Sequence, residues 1–243
     1  VTVREARDST RKENPKRLVI CEFMSLDGVV QAPGGPDEDT EGGFAHGGWT
    51  HPSFDPEVVG GAWDAALEKA DALLYGRRTW KGMAGAWPDR AGDPPPQAGG
   101  PPADRMNSIR TYVVSATLTD SGPAWENTTR IPGEDAVARI RELRETSGGD
   151  LLVMGSPTLA RTLLHEGLAE ELVLIVMPVV LGGGKDDLPR RRRQTHPGAG
   201  LHHHQRRGRE RVRLPSGGEG LNRHKGFADT ARGVAVLRCV GAS

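Results

Sequence analysis

Three short stretches carry residues suited to holding a phosphate-bearing ligand. Gly76-Arg77-Arg78-Thr79 joins fixed positive charge to a hydroxyl and a glycine. The arginine fork matches phosphate oxygens, and the N–H groups that open a helix favour an anion at the same place. Ser115 closes the apolar run Tyr112-Val113-Val114. Gly155-Ser156 leads into Pro157 and Thr158, where glycine lets a ligand approach the backbone and a helix start can receive a pyrophosphate. Each stretch alone has a plain explanation: a solvated helix start, a strand-end serine, a helix cap. Their force lies in lying together.

The elements around them put them together. Residues 17–24 read as a first strand ended by the turn signal Ser25-Leu26-Asp27-Gly28. Residues 31–56 form a long loop rich in glycine, proline and acids, a length often reserved for function. Helical spacing follows over 56–69, then a strand at 72–75 and a helix from Thr79. Strands at 111–115 and 128–131 precede an amphipathic helix over 135–145. The strand at 151–154 runs into a helix from Thr158, and 171–180 is a long apolar strand. Strands alternating with helices in this way predict an α/β fold with a mostly parallel sheet and helices on both faces. Ligands of such sheets bind at the carboxyl ends of strands, where all three stretches fall.

The net charge is zero but unevenly spread: residues 1–185 carry 19 Lys+Arg against 27 Asp+Glu, and residues 186–243 carry 13 against 5. That reversal divides the chain into a loose leader (1–16), a domain (17–185) and an Arg/His-rich tail (186–243). Cys21 and Cys239 have neither metal-ligand nor redox spacing, and His46 and His51 lack a third ligand at suitable spacing, so no metal site is expected. No nucleophile–base pair stands out. With no apolar segment of membrane-spanning length, a cytoplasmic protein is expected.

The ordered set Met24-Ser25-Leu26-Asp27-Gly28, Leu74-Tyr75-Gly76-Arg77-Arg78-Thr79-Trp80, Tyr112-Val113-Val114-Ser115, Val153-Met154-Gly155-Ser156, Gly167 to Leu172 and Pro178 to Gly184 resembles the dihydrofolate reductase-like superfamily. Within it, the resemblance is strongest to the C-terminal reductase domain of the bifunctional riboflavin-biosynthesis deaminase–reductase. It implies a bacterial NADPH-dependent oxidoreductase that transfers a hydride to a pterin-like or aminopyrimidine-like substrate, as dihydrofolate reductase and 5-amino-6-(5-phosphoribosylamino)uracil reductase do. It implies that Gly76, Arg77, Arg78 and Thr79 hold the adenosine-side phosphates, with Arg77 on the 2′-phosphate. Ser115 then lies beside the adenosine, and Gly155, Ser156 and Thr158 under the pyrophosphate. Asp27 is expected to contact the substrate ring and, if its site raises its pKa, to act as the catalytic acid in place of water; Trp49 is expected to contact substrate from the long loop. Ala116 stands where relatives often carry a basic residue. Relatives often pair as homodimers. The competing reading is a non-catalytic nucleotide-binding relative, or a protein whose basic tail binds nucleic acid; the latter is the weaker expectation.

The tail has a more specific reading. With GC-rich codons and a one-base shift, Asp186 to Arg192 reads Thr-Ile-Phe-Pro-Asp-Asp-Gly, and His202 to Arg209 reads Thr-Thr-Thr-Ser-Gly-Ala-Gly-Val. Both look like the superfamily's ordinary ending. We therefore read residues beyond Lys185 as frame-shifted and expect them to be disordered, with the last two strands missing and one sheet edge unpaired.

Overall fold

The computed structural model describes residues 15–94, 102–118, 125–186 and 235–240. Strands β1 (Leu18–Ser25), β2 (Ala70–Gly76), β3 (Arg110–Val114), β4 (Thr128–Ile131), β5 (Asp150–Met154), β6 (Glu171–Met177) and β7 (Ala235–Val240) form one sheet in the order β4-β3-β2-β5-β1-β6-β7. Every neighbouring pair is parallel except β6 with β7.

The strand sequences dictate this burial. Side chains alternate between faces with period two, so an apolar run must be covered on both sides. Val19, Cys21, Leu73, Tyr75, Leu152 and Ile175 meet helices α1 (Gly61–Leu67), α2 (Arg77–Ala86) and α3 (Ala103–Ser108) on one face. Leu18, Ile20, Leu74, Leu151 and Val153 meet α4 (Ala136–Glu145) and α5 (Pro157–His165) on the other. Leu73, Leu74, Leu151, Leu152 and Ile140 are wholly buried, each stabilising the fold by roughly 1.5–3 kcal/mol relative to exposure. The expected α/β class with helices on both faces is found.

Three departures are physical. Strand β6 stops at Met177 rather than Val180, because Pro178 has no N–H for a ladder. A short helix that the sequence reading does not include, α3, stands between the Pro/Gly-rich residues 88–102 and β3, with Ala103 and Met106 buried. The expectation of an unpaired edge is corrected: Ala235 to Val240 pairs antiparallel with Val176 to Glu171 and covers β6. The Arg/His-rich composition of the tail masks the short apolar run Ala235-Val236-Leu237. The rest of the disorder expectation, residues 187–234, lies outside the described residues, as does most of the leader. Among the described residues no helix is long and apolar enough to cross a membrane.

The long loop after β1 is tied down by one glutamine. Gln31 is 2% exposed; its amide nitrogen donates to the carbonyls of Asp39 (3.0 Å) and Glu41 (2.9 Å). Its amide oxygen accepts from the Lys185 N–H (3.0 Å). The loop and the segment after β6 are thereby held against the carboxyl end of β1.

Candidate functional site

The glycine that ends β2 and the serine that follows β5 touch. The Gly76 N–H donates to Ser156 Oγ at 2.8 Å, joining the carboxyl ends of adjacent strands. That bond has a consequence for both following helices. Ser156 precedes α5, where a serine hydroxyl ordinarily caps the first N–H groups; here the hydroxyl is committed to Gly76 and α5 has no side-chain cap. Helix α2 begins after Gly76, which has no side chain to offer, and it too is uncapped. Two helix N-termini with their positive ends free of side chains therefore open on one place.

That place is a cleft of about 460 Å³, within the size range of small-molecule sites. Gly76, Arg77, Arg78, Thr79, Gly155, Ser156 and Thr158 all line it, so seven of the eight expected cofactor residues are brought together. Gly155 (φ +70°) and Ser156 (φ +68°) are consecutive left-handed residues. A side chain on Gly155 would be strained by that backbone and would meet Thr79 Cγ2 at 3.4 Å. Arg77 is exposed in the cleft wall and has no ion pair or side-chain hydrogen bond among the described residues.

Arg78 differs from Arg77. It bonds Asp39 Oδ2 (2.6 Å) and Glu41 Oε2 (3.0 Å), and Lys185 Nζ bonds the same two atoms at 2.8 and 2.7 Å. Its charge is already matched by the loop, so Arg78 lines the cleft as a tether and not as a free anion contact. Ser115 lies at the same sheet edge but is 5% exposed, and its hydroxyl accepts from the Thr117 and Leu118 N–H groups. It shapes the turn after β3; Val114 reaches the cleft in its place, with Gly133, Ala136 and Val137 opposite.

The two expected substrate contacts have other work. Trp49 is 6% exposed in the core, its indole N–H donating to the Gln31 carbonyl at 2.7 Å; a large apolar ring inside a loop is more stable buried beneath it. Asp27 accepts from the Ser25 hydroxyl (2.7 Å) and from the Leu181 and Gly182 N–H groups (3.2 and 2.8 Å). These donors, the Ser25 hydroxyl foremost, hold its carboxyl at about 2. A group that stays ionised at neutral pH cannot serve as the acid. Asp27 staples the β1 turn to the segment after β6.

Sequence reasoning missed Glu22. It sits on β1, is 6% exposed, lines the cleft, and its Oε1 has no hydrogen-bond partner among the described residues. Its signal was available: an acid inside Val19-Ile20-Cys21-Glu22-Phe23, an otherwise apolar run. A second cleft of about 530 Å³ adjoins, lined by Gly42 to His46 and Leu181 to Lys185, and it shares Gln31, Glu41 and Lys185 with the first.

With this geometry in hand, comparison with known proteins is informative. The model of the RibD C-terminal domain family matches residues 16–209. The chain belongs to the RibD C-terminal domain family. It is similar to the uncharacterized protein YyaP of Bacillus subtilis, 23% identical over 176 residues, 72% of this chain and 82% of that one. Among solved structures it is similar to a putative riboflavin biosynthesis protein from Shewanella sp. PV-4, with a TM-score of 0.57, 18% identity, and 93% and 99% of the two chains covered. It also matches, at a TM-score of 0.49 and 12% identity, a diaminohydroxyphosphoribosylaminopyrimidine deaminase/5-amino-6-(5-phosphoribosylamino)uracil reductase from Thermotoga maritima, covering 94% of this chain and 57% of that one. The family is one of reductases, and this member shares its fold with the Shewanella protein.

Proposed function

We propose that this protein is an NADPH-dependent reductase acting on a pterin-like or aminopyrimidine-like ring. The observation that carries the reading is Arg77, a permanent cation without a counter-ion among the described residues, set beside two uncapped helix N-termini in one cleft. Such an arrangement is favourable for a ligand bearing several phosphates.

The residues present fit the cofactor. Arg77 and the first N–H groups of α2 would take the 2′-phosphate, and the Gly155–Ser156 turn with the start of α5 the pyrophosphate. Gly133, Ala136 and Val137 offer an apolar wall for the adenine. When bound, the cofactor supplies the hydride, and the protein's share is binding, orientation and exclusion of water. The Gln31 amide and the Arg78–Asp39–Glu41–Lys185 network hold the loop that closes one side. Family membership supports the substrate class, and the adjoining cleft has room for it.

The test is NADPH oxidation by the purified full chain, screened against dihydrofolate and 5-amino-6-(5-phosphoribosylamino)uracil. Turnover with a member of this class, lost on Arg77→Ala at low cofactor concentration, is expected. NADPH that binds no better than ATP, with no turnover of either ring, contradicts the reading.

A further inference from the structure

The cleft is cationic at one end and holds a buried acid on its floor. Glu22 projects from β1 among apolar side chains: Val30 on the loop, Pro157, Ala160 and Leu164 on α5, and Leu172 and Leu174 on β6. None of these can titrate or carry charge. The charged groups that share the cleft with Glu22 are Glu38, Asp39 and Glu41 on the loop, Arg77 and Arg78 on α2, and Lys185 after β6. Arg78 and Lys185 are occupied by Asp39 and Glu41, so among the described residues that line the cleft the one cation not already paired is Arg77, which has no bond to Glu22. Burial, and then the Glu38 carboxylate, push the Glu22 carboxyl well above its ordinary value.

A buried carboxyl that keeps its proton is a hydrogen-bond donor, and a buried polar atom without a partner is costly. Strands tolerate such an atom where a ligand completes it. We propose that Glu22, as the neutral acid, donates its O–H to the carboxamide carbonyl of the bound nicotinamide and so fixes the ring end of the cofactor in the cleft. This assignment rests on the cofactor reading above. Charge orders the ligand: the phosphates belong at Arg77 and the helix starts, which leaves the uncharged ring end of a dinucleotide for the part of the cleft where Glu22 lies beside Val30 and Pro157. An ionised carboxylate would instead accept from the carboxamide N–H, so the proton decides which carboxamide atom Glu22 meets.

Two probes separate this role from the phosphate site. NADPH carries the nicotinamide; adenosine 2′,5′-bisphosphate carries the adenosine-side phosphates and no nicotinamide. Calorimetric titration of the full chain with each is expected to show that Glu22→Ala weakens NADPH binding about tenfold, the loss of roughly one such hydrogen bond. Glu22→Gln, which keeps a neutral donor of the same size, is expected to bind within about threefold of wild type. Neither change is expected to alter bisphosphate binding. Infrared difference spectra of the wild-type protein supply a readout that needs no variant to fold: a protonated-carboxyl band shifts when NADPH binds and stays still with the bisphosphate. No such band moving with NADPH, or equal movement with both ligands, overturns the assignment while leaving the cofactor site standing. Failure of both ligands to bind overturns the cofactor site and the assignment together.

Discussion

The Gly76 N–H and the Ser156 Oγ lie 2.8 Å apart, and that bond locks the ends of β2 and β5 into a single floor beneath the cleft. Ser156 accepts a left-handed backbone, φ 68° and ψ 58°, to deliver it. Ser156→Ala removes the acceptor and keeps the strain; the expected cost is about 1 kcal/mol, that of losing one part-buried hydrogen bond. Ser156→Gly removes the same acceptor but relaxes the backbone, recovering part of that loss. Urea denaturation should therefore rank wild type above the glycine variant and the glycine variant above the alanine one. Equal losses in the two variants would contradict the strained-turn account.

Asp27 links elements far apart in sequence, with Gly182 as its best backbone donor. Its carboxyl is held at about 2, below the ordinary aspartate value of about 3.9. The sign follows from linkage: a lowered folded-state pKa gives stability that is present above pH ~4 and lost as pH falls through ~2. Asp27→Asn should melt below wild type near neutral pH, with the gap closing on acidification across that window. A gap that does not depend on pH would show that the carboxylate charge is not what the staple uses.

The neighbouring arginines are expected to behave differently on substitution. Arg78→Ala cuts the loop from α2 while Lys185 still holds Asp39 and Glu41, so hydrogen exchange should rise across residues 36–46. NADPH affinity should fall by no more than about threefold, as suits a half-exposed pair screened by solvent and salt. A loss as large as that from Arg77→Ala would mean that Arg78 also grips phosphate.

The charge reversal after Lys185 and the strand at Ala235–Val240 bear on one another. If the intervening stretch is read in a shifted frame, that shift must begin near codon 185 and be undone before codon 235, because β7 pairs in the present frame. The nucleotide sequence is expected to contain an open alternative frame between those points with the superfamily-like ending. A stop codon within that alternative frame would end the idea.

Much of the fold was legible because its signals are local. Apolar runs gave β1, β5 and β6, and glycine with hydroxyl residues at strand ends gave Gly76, Arg77, Thr79, Gly155, Ser156 and Thr158. What escaped depends on distant partners. Asp27 looks like a free turn carboxylate until Leu181 and Gly182 fold onto it. Trp49 resembles a loop contact until Gln31 draws its indole inward. Arg78 is indistinguishable from Arg77 until Asp39 and Glu41 arrive. Strand β7 has no meaning without the exposed edge of β6, and Glu22 is merely an acid in a strand until its surroundings close around it.

The central claim is that Arg77 selects a phosphorylated dinucleotide in this cleft. Titrating wild type and Arg77→Ala with NADPH and with NADH tests it most directly, since the two ligands differ only in the 2′-phosphate. A charge-assisted contact of about 1.5–3 kcal/mol predicts that the variant loses roughly tenfold to a hundredfold in NADPH affinity. NADH affinity should stay within about twofold, because its adenosine ribose has no 2′-phosphate for the guanidinium to bind. Equal losses for both ligands, or no loss for either, would contradict the account.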